Sequence, residues 1–144
     1  LHNHCNLMVV TNNQNVANIL ANNPTCDVGV AGGSLRRSDG GLVGDLAALA
    51  IDRFKVDFAV IGTSAIDLSG DLLDFDPEEV RVSQQVIKAA RATILVADGT
   101  KFTRKAPVKI ASLAQVDHFV TDRVPSERLI ADCGDWGTRI ALVQ

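Results

Sequence analysis

Aromatic side chains are scarce in this chain: they make up 4% of its 144 residues, whereas hydrophobic residues as a whole make up 47%. The core must therefore be built from Val, Ile, Leu and Ala, a composition that is typical of a parallel sheet buried between helices. A chain of this length fits one domain, so we expect a single domain over residues 1–144.

Dense positive charge is also missing. The formal net charge is −3, and the 14 Lys and Arg residues are scattered along the chain. Because a nucleic-acid-binding surface is usually a clustered basic patch, we expect any contact with DNA to be made by another segment.

The cysteine pattern and the lack of long apolar runs exclude further classes of protein. Cys5, Cys26 and Cys133 are an odd number without a CxxC pair, which argues against a disulfide framework or a zinc site and favours a reduced, cytoplasmic setting. No apolar run approaches the roughly 18–20 residues that cross a bilayer, and no signal-peptide pattern opens the chain, so we expect no membrane association.

No Ser-His-Asp, Cys-His or HExxH pattern is present, and we expect neither a metal nor a cofactor. The chain begins at Leu1 rather than Met, so we expect it to be a fragment.

Short apolar runs alternate with helical stretches along the chain. We expect strands at 7–11, 27–31, 56–61, 93–97, 118–121 and 138–143, and helices at 14–21, 43–53, 77–90 and 125–133. Residues 34–41 are a polar stretch that leads to the second helix, and the segment 62–76 is expected to be a long loop. Asp76 and Pro77 fit the N-cap and the first position of the third helix. The repeated alternation predicts the α/β class, with an open, mostly parallel sheet and helices on both faces.

Small, hydroxyl, amide and acidic residues follow the predicted strands. Ligands of open α/β sheets bind just beyond the carboxyl ends of the strands, where glycines let the backbone approach an anion closely. Lys101 adds a point charge that suits a phosphate. The strand ends therefore predict a cleft for a small, oxygen-rich ligand, lined by Thr11-Asn12, Gly32-Gly33, Gly62-Thr63-Ser64 and residues 98–101.

Each of these positions also has an ordinary structural explanation. Gly32 and Gly33 fit a simple turn, Asn12 fits a helix cap, and Asp98 with Lys101 fits a solvated turn with a weak ion pair. The acidic residues between 67 and 76 do not have the spacing of an EF-hand. Only the convergence of several strand ends supports a binding site.

Several segments occur in an order that is specific as a set: VVTNN at 9–13, AGG at 31–33, DFAVIG at 57–62, LVADGTKF at 95–102, and VD and TD at 116–117 and 121–122. The series closely resembles the C-terminal sensor domain of the DeoR family of bacterial transcriptional repressors, over essentially the whole chain. The resemblance implies a sugar-phosphate isomerase-like fold and a domain that senses an effector and thereby controls DNA binding. Segments 33–44 and 72–81 are most similar to the branch that represses a glycerol-3-phosphate regulon. They imply glycerol 3-phosphate, or another small phosphorylated polyol or sugar, as the effector.

The resemblance also implies an effector site of eleven residues. It assigns Thr11 and Asn12 to the border of the pocket, Gly32 and Gly33 to its floor, Gly62, Thr63, Ser64 and Asp67 to the polyol end, Glu79 to the mouth, and Asp98 and Lys101 to opposite sides of the ligand. The family normally carries a Gly-Thr-Thr phosphate loop after its first strand and an N-terminal helix-turn-helix. Neither precedes residue 7, so we expect the sheet to lack its first strand and DNA binding to belong to a domain outside this chain.

We expect an effector-binding domain that is not an enzyme, and two other functions stay open. One is a sugar-phosphate isomerase, with Asp67 or Glu79 as general base and Lys101 as electrostatic support. The other is a structural oligomerisation domain with a vestigial pocket, packing through the apolar helix positions Leu46, Leu49, Ala50 and Phe54. The resemblance further implies a homo-oligomer.

Overall fold

Strands and helices alternate along the chain, as the sequence predicts. In the computed structural model, which describes residues 1–144, the chain divides into a first unit, Leu1–Phe54, and a second unit, Lys55–Gln144. That residues 1–144 form one sensor domain stays a prediction.

The first unit contains two short sheets and two helices: β1 (Leu7–Thr11), α1 (Gln14–Leu20), β2 (Cys26–Val30), β3 (Ser34–Arg36), β4 (Gly41–Val43) and α2 (Asp45–Asp52). β1 and β2 pair in parallel, while β3 and β4 form an antiparallel hairpin. α1 begins where the Asn13 side chain accepts hydrogen bonds from the backbone N–H groups of Asn15 and Val16. The polar stretch 34–41 contains β3 and the first residue of β4, which the sequence pattern did not predict. The backbone N–H of Leu42 donates to the carbonyl of Asn12, so the end of β1 holds the hairpin in place.

The second unit contains a parallel and an antiparallel sheet. Its elements are β5 (Val56–Ile61), β6 (Ala65–Ile66), β7 (Asp71–Asp74), α3 (Pro77–Ala89), β8 (Ala90–Val96), β9 (Val108–Ser112), β10 (His118–Thr121), α4 (Glu127–Trp136) and β11 (Arg139–Leu142), with 3₁₀ helices at Gly99–Phe102 and Leu113–Gln115. β11, β10, β8 and β5 form a four-stranded sheet in that order, with every pair parallel. β6, β7 and β9 form the antiparallel sheet. The α/β class, with a parallel sheet flanked by helices, is confirmed.

One face of the parallel sheet carries the core of the second unit. The register places Ile61 beside Leu95, Leu95 beside Phe119, and Phe119 beside Ile140, so these side chains form one row across the four strands. The row packs against α3, α4 and the antiparallel sheet, within a cluster that also includes Val80, Leu129 and Cys133, and Leu72 and Ile110. Burial raises the pKa of the Cys133 thiol, and the charge of Asp132 adds to the effect.

The opposite face is apolar but exposed at several positions. Phe58, Val60 and Val96 expose 61%, 59% and 51% of their surfaces. Alternation along each strand places them on the side away from the row of Ile61, Leu95 and Phe119. No helix of the chain is both long and apolar enough to span a bilayer.

The helix boundaries show which local signals decided them. Asp76 caps α3 by accepting from the backbone N–H of Glu78, with Pro77 as first residue, as predicted. α4 begins at Glu127 rather than at Pro125, because the Ser126 side chain caps it by accepting from the backbone N–H of Leu129. The expected loop 62–76 is wrong in its middle, since β6 and β7 lie there. Both strands are too short to show a periodicity; β6 pairs with β7, and β7 also pairs with β9, far along the chain.

The two faces of the parallel sheet predict different costs for the same truncation. Phe119→Ala removes a ring that is 0% exposed and is expected to cost about 3–5 kcal/mol of unfolding free energy. Phe58→Ala, the matched control, removes a ring that is 61% exposed and is expected to cost less than about 1 kcal/mol. Urea denaturation of both variants measures the difference. An equal cost at both positions would show that the outer face is covered in solution.

Candidate functional site

The carboxyl ends of three neighbouring parallel strands lie at one edge of the second unit. β10, β8 and β5 are adjacent in the sheet and run in the same direction. Gly62, Thr63 and Ser64 follow β5, and residues 98–101 follow β8. Asp67 and Glu79 belong to the same unit. The second unit therefore contains seven of the eleven predicted site residues, and the first unit contains the other four.

Asp98 and Lys101 lie in one tight turn after β8. The Asp98 side chain accepts from the backbone N–H and the hydroxyl of Thr100, and so caps the 3₁₀ helix Gly99–Phe102. These hydrogen bonds, with a smaller contribution from Lys101, hold the pKa of Asp98 below its usual value. The Lys101 Nζ is 3.8 Å from Asp98 Oδ2, too far for a hydrogen bond, so the ammonium group keeps donors for another partner. The interpretation of this pair as a turn with a weak ion pair accounts for its geometry.

The turn after β8 is fastened to the end of β10. The backbone N–H of Gly99 donates to Asp122 Oδ1 at 2.7 Å. The side chain of Arg123 lies against the Gly99 backbone: a Cβ added to Gly99 would be 2.5 Å from Arg123 Cβ and 2.8 Å from its Cδ and Nε. Glycine at position 99 therefore makes room for the arginine.

Thr63 and Ser64 are occupied by hydrogen bonds within the protein. The buried hydroxyl of Thr63 is 2.9 Å from the carbonyl oxygens of both Ala65 and Leu73. Ser64 Oγ donates to Asp74 Oδ1 at 2.9 Å. Both side chains therefore attach the end of β5 to β7. Gly62, by contrast, has no atom within 4 Å of the position of a Cβ, which leaves its backbone open on that side.

Asp67 organises its own loop through one carboxylate oxygen. Its Oδ1 accepts from the Ser69 backbone N–H at 3.0 Å, the Ser69 hydroxyl at 2.7 Å and the Asp71 backbone N–H at 2.9 Å. Partial burial raises the pKa of Asp67, but the hydrogen bonds from Ser69, Asp71 and Gly70 outweigh it, and the pKa lies below its usual value of 3.8. Asp67 is therefore an ionised acceptor at neutral pH. Glu79 lies half-buried in the first turn of α3.

A cavity of about 250 Å³ lies between the loop after β6, the 3₁₀ helix and the segment from β10 to α4. Its polar lining groups are Asp67, Thr103, Arg123 and Ser126, and apolar side chains form most of the remaining wall, among them Ile66, Phe102 and Leu129. Of the eleven predicted residues, Asp67 lines this cavity, while Asp98 and Lys101 lie in the adjoining turn. No group of three or more His, Cys, Asp or Glu side chains is arranged to hold a metal ion.

The four predicted residues of the first unit surround the junction of β1, α1 and the hairpin. Thr11 Oγ1 accepts from the Asn13 backbone N–H at 3.0 Å, and the Asn12 side-chain amide donates to the Leu42 carbonyl at 3.1 Å. Gly33 has a φ of 124°, and a Cβ there would be 2.5 Å from the Val43 carbonyl oxygen. Gly32 has no atom within 4 Å of a Cβ position. Structural roles therefore account for Thr11, Asn12 and Gly33, and their contact with an effector stays a prediction.

Comparison with known proteins identifies the family. Residues 1–123 match the DeoR C terminal sensor domain. The chain belongs to this family. It is 46% identical over 122 residues to a glycerol-3-phosphate regulon repressor of Haemophilus influenzae, an alignment that covers 85% of this chain and 48% of that protein. The Escherichia coli protein of the same name is 44% identical over 125 residues, covering 87% of this chain and 50% of the relative.

A relative with a different name aligns with all 144 residues of this chain. The HTH-type transcriptional repressor CsqR of Escherichia coli is 38% identical over 144 residues, which cover 100% of this chain and 55% of the relative. The chain thus spans about half the length of the curated relatives it matches. All three relatives are named as repressors rather than as enzymes.

Arg123 is the charged cavity-lining residue that was not among the predicted site residues. It directly follows Thr121, the last residue of β10, and Asp122, two residues that were part of the family resemblance. Extending the examination of strand ends by one residue would have included it. Its position against Gly99, however, depends on the pairing of β8 with β10, which the sequence does not show.

The adjacent glycines of the first unit differ in what a methyl group would meet. Gly33→Ala is expected to cost about 1–3 kcal/mol of unfolding free energy, because it combines a positive φ with a close contact to a backbone oxygen. Gly32→Ala is the matched control and is expected to stay within about 0.5 kcal/mol of the parent. Thermal and urea unfolding measure both. If Gly33→Ala unfolds like the parent, Gly33 is not required by the local geometry.

Proposed function

We propose that this chain is the effector-sensing domain of a transcriptional repressor and that it binds a small phosphorylated polyol or sugar, with glycerol 3-phosphate as the best candidate. The observation that carries the proposal is the match to the DeoR sensor family, together with 44–46% identity to two proteins named as glycerol-3-phosphate regulon repressors. These relatives are about twice as long as the matched region. We therefore propose that a separate domain outside residues 1–144 contacts DNA.

The carboxyl edge of the parallel sheet supports a small, anionic and hydroxylated ligand. Its cavity of about 250 Å³ lies below the ~300–1,000 Å³ typical of sites for drug-sized molecules, which favours a metabolite of a few carbon atoms. Lys101 and Arg123 supply positive charge beside it, and the ionised Asp67 supplies an acceptor for hydroxyl groups. The remaining predicted contacts are also proposals.

Sensing requires that the effector bind one conformation of the repressor better than another, since a ligand with equal affinity for both shifts nothing. The loops after β8 and β10 are joined by the hydrogen bond from Gly99 to Asp122, so a ligand that touches one of them is coupled to the other. A transcriptional repressor must reach chromosomal DNA, which in bacteria lies in the cytoplasm. We therefore propose that this protein is cytoplasmic.

The site favours binding over catalysis. A general base must accept a proton from the substrate, and its pKa is best placed near the working pH. Asp67 has a lowered pKa, and three hydrogen bonds from its own loop engage one of its oxygens. We propose that the domain does not turn over sugar phosphates such as ribose 5-phosphate.

Calorimetric titration tests the effector assignment. Glycerol 3-phosphate is expected to bind saturably to the protein in its native length, whereas glycerol and inorganic phosphate, the matched controls, bind at least ~10-fold more weakly because each lacks half of the contacts. Binding of a different sugar phosphate instead would keep the sensor role and overturn glycerol 3-phosphate. Absence of binding for every phosphorylated polyol and sugar tried would overturn the sensor role itself.

We also propose that the protein is a homo-oligomer, and α2 offers a surface for it. Leu46 and Leu49 expose 68% and 63% of their surfaces, three residues apart on one face of the helix. Ala47, Ala48 and Ile51 on the other face are buried. Two adjacent exposed leucines favour burial against another subunit.

Sedimentation velocity tests this interface. The double variant Leu46→Lys/Leu49→Lys is expected to sediment as a smaller species than the parent, because two ammonium groups replace the apolar contact. Leu35→Lys, at a leucine that is also exposed in the first unit, is the matched control and should leave the sedimentation coefficient unchanged. A parent protein that is monomeric at high micromolar concentration would contradict the oligomer.

A further inference from the structure

One helix contacts both the cavity and the turn that carries Asp67. Near its start, α4 contributes Leu129 to the cavity wall, and its N-cap Ser126 lines the cavity as well. At the other end of the helix, its last residue, Trp136, lies over the turn 67–70, which joins β6 to β7. The spacing from Leu129 to Trp136 is two helical turns, so both side chains lie on one face of α4.

A glycine makes room for the contact between Trp136 and the turn. A Cβ added to Gly70 would be 3.1 Å from the Cη2 and Cζ3 atoms of the Trp136 ring and 3.5 Å from Leu129 Cδ1. Gly70 is buried and has a φ of 85°, a conformation that favours glycine. The indole ring therefore packs directly on the backbone of the turn.

The backbone of Gly70 is in turn hydrogen-bonded to Asp67. The Gly70 N–H donates to the Asp67 carbonyl at 3.0 Å, and the Gly70 carbonyl accepts from the Leu113 N–H at 2.8 Å. Asp67 Oδ1 accepts from the N–H and the hydroxyl of Ser69 and from the Asp71 N–H. Its Oδ2 takes part in none of these bonds and is available to a ligand hydroxyl. A shift of Gly70 would therefore move a carboxylate that lines the cavity.

The end of α4 is itself fixed, which lets Trp136 hold the turn. Gly137, with a φ of 79°, ends the helix in the left-handed conformation, and its N–H donates back into the last turn of α4. The next residue, Thr138, donates its buried hydroxyl to the Leu113 carbonyl at 2.7 Å. Leu113 thus binds Gly70 through its N–H and Thr138 through its carbonyl, and joins the end of α4 to the turn.

We propose that Trp136 is a positioning residue of the effector site: its ring, packed on Gly70, holds the turn 67–70 so that the Asp67 carboxylate accepts hydrogen bonds from hydroxyl groups of the effector. The proposal rests on the proposed function and deepens it, because it assigns selection for a hydroxylated ligand to Asp67 and the orientation of Asp67 to α4. Trp136 does not itself line the cavity. Its effect on the ligand therefore passes through Asp67.

Isothermal titration of the protein in its native length, with glycerol 3-phosphate and propyl phosphate as probes, tests the proposal. The second probe keeps the phosphate and lacks both hydroxyl groups, so the parent is expected to prefer glycerol 3-phosphate by at least ~10-fold, as expected for hydrogen bonds to a charged acceptor. Trp136→Ala should reduce this preference to less than ~3-fold and leave the affinity for propyl phosphate unchanged. Asp67→Asn should have the same effect, since it removes the charge and keeps an acceptor for the loop.

Ile130→Ala is the matched control on the same helix. Ile130 is 42% exposed, close to the 37% of Trp136, and it does not line the cavity. Its truncation should keep the ligand preference of the parent. An equal loss of affinity for both probes in Trp136→Ala would contradict the proposal, because a damaged fold would not distinguish a hydroxylated ligand from one without hydroxyl groups.

A double-mutant cycle shows whether Trp136 acts through Asp67. In the Asp67→Asn background, Trp136→Ala is expected to change the affinity for glycerol 3-phosphate less than ~2-fold, because the carboxylate that the ring positions is already absent. Losses that add in the double variant would overturn the positioning role.

Amide hydrogen exchange of the protein without ligand gives a second readout. The Ser69 and Asp71 amides donate to Asp67, and they should exchange at least ~10-fold faster in Trp136→Ala than in the parent or in Ile130→Ala. The amides of β10 are the internal reference. Faster exchange confined to the turn supports the proposal, whereas no change at the turn, or an equal change in β10, overturns it.

The outcomes separate this proposal from the proposed function. If the parent prefers glycerol 3-phosphate and Trp136→Ala keeps that preference, the sensor role stands and the role of Trp136 is overturned. If the parent binds neither probe, the assignment of glycerol 3-phosphate falls, and the exchange measurement decides whether Trp136 holds the turn.

Discussion

The second unit depends on the parallel pairing of β5, β8, β10 and β11. The register aligns Ile61, Leu95, Phe119 and Ile140 in one row, and that row is the surface on which α3, α4 and the antiparallel sheet pack. The same pairing brings three strand ends to one edge, where the loops that carry Asp67, Lys101 and Arg123 follow. The packing that stabilises the fold thus also positions the candidate site, since a shift of one residue in any pair would turn the row to the other face.

The polar residues at that edge divide into two groups. Some form hydrogen bonds within the protein: Thr63 and Ser64 attach the end of β5 to β7, and Asp98 caps the turn that contains Gly99. Others keep capacity for a partner, namely Lys101 and Arg123 as donors and Asp67 as acceptor. A polar residue after a strand is therefore not a ligand contact by its position alone, because buried backbone groups compete for the same side chains. The cavity, more than the number of polar residues, therefore supports the proposed location of the effector site.

A repressor sensor of this kind needs a ligand site whose walls belong to separable parts of the fold. The cavity takes its lining from the loop after β6, the turn after β8 and the start of α4. The hydrogen bond from the Gly99 backbone N–H to the Asp122 side chain and the contact of Gly99 with Arg123 join the turn after β8 to the segment between β10 and α4. A ligand that bound there with different affinities in two conformations would shift their populations.

The sequence by itself determined the α/β class and most of the regular elements, because apolar periodicity and capping residues act over a few neighbouring positions. The family followed from the resemblance of an ordered set of segments, which the family match confirms. The strand 118–121 and the cap formed by Asp76 and Pro77 occur as expected. Apolar periodicity did not determine β3, β6 or β7, because their two to four residues are too short for a periodic signal. β7 is also stabilised by pairing with β9, which is distant in sequence. Only the tertiary structure decided that the Thr63 hydroxyl is hydrogen-bonded to the Leu73 carbonyl and that Arg123 lines a cavity. Both facts depend on which strands lie side by side, and that is set by burial of the whole apolar row rather than by any local segment.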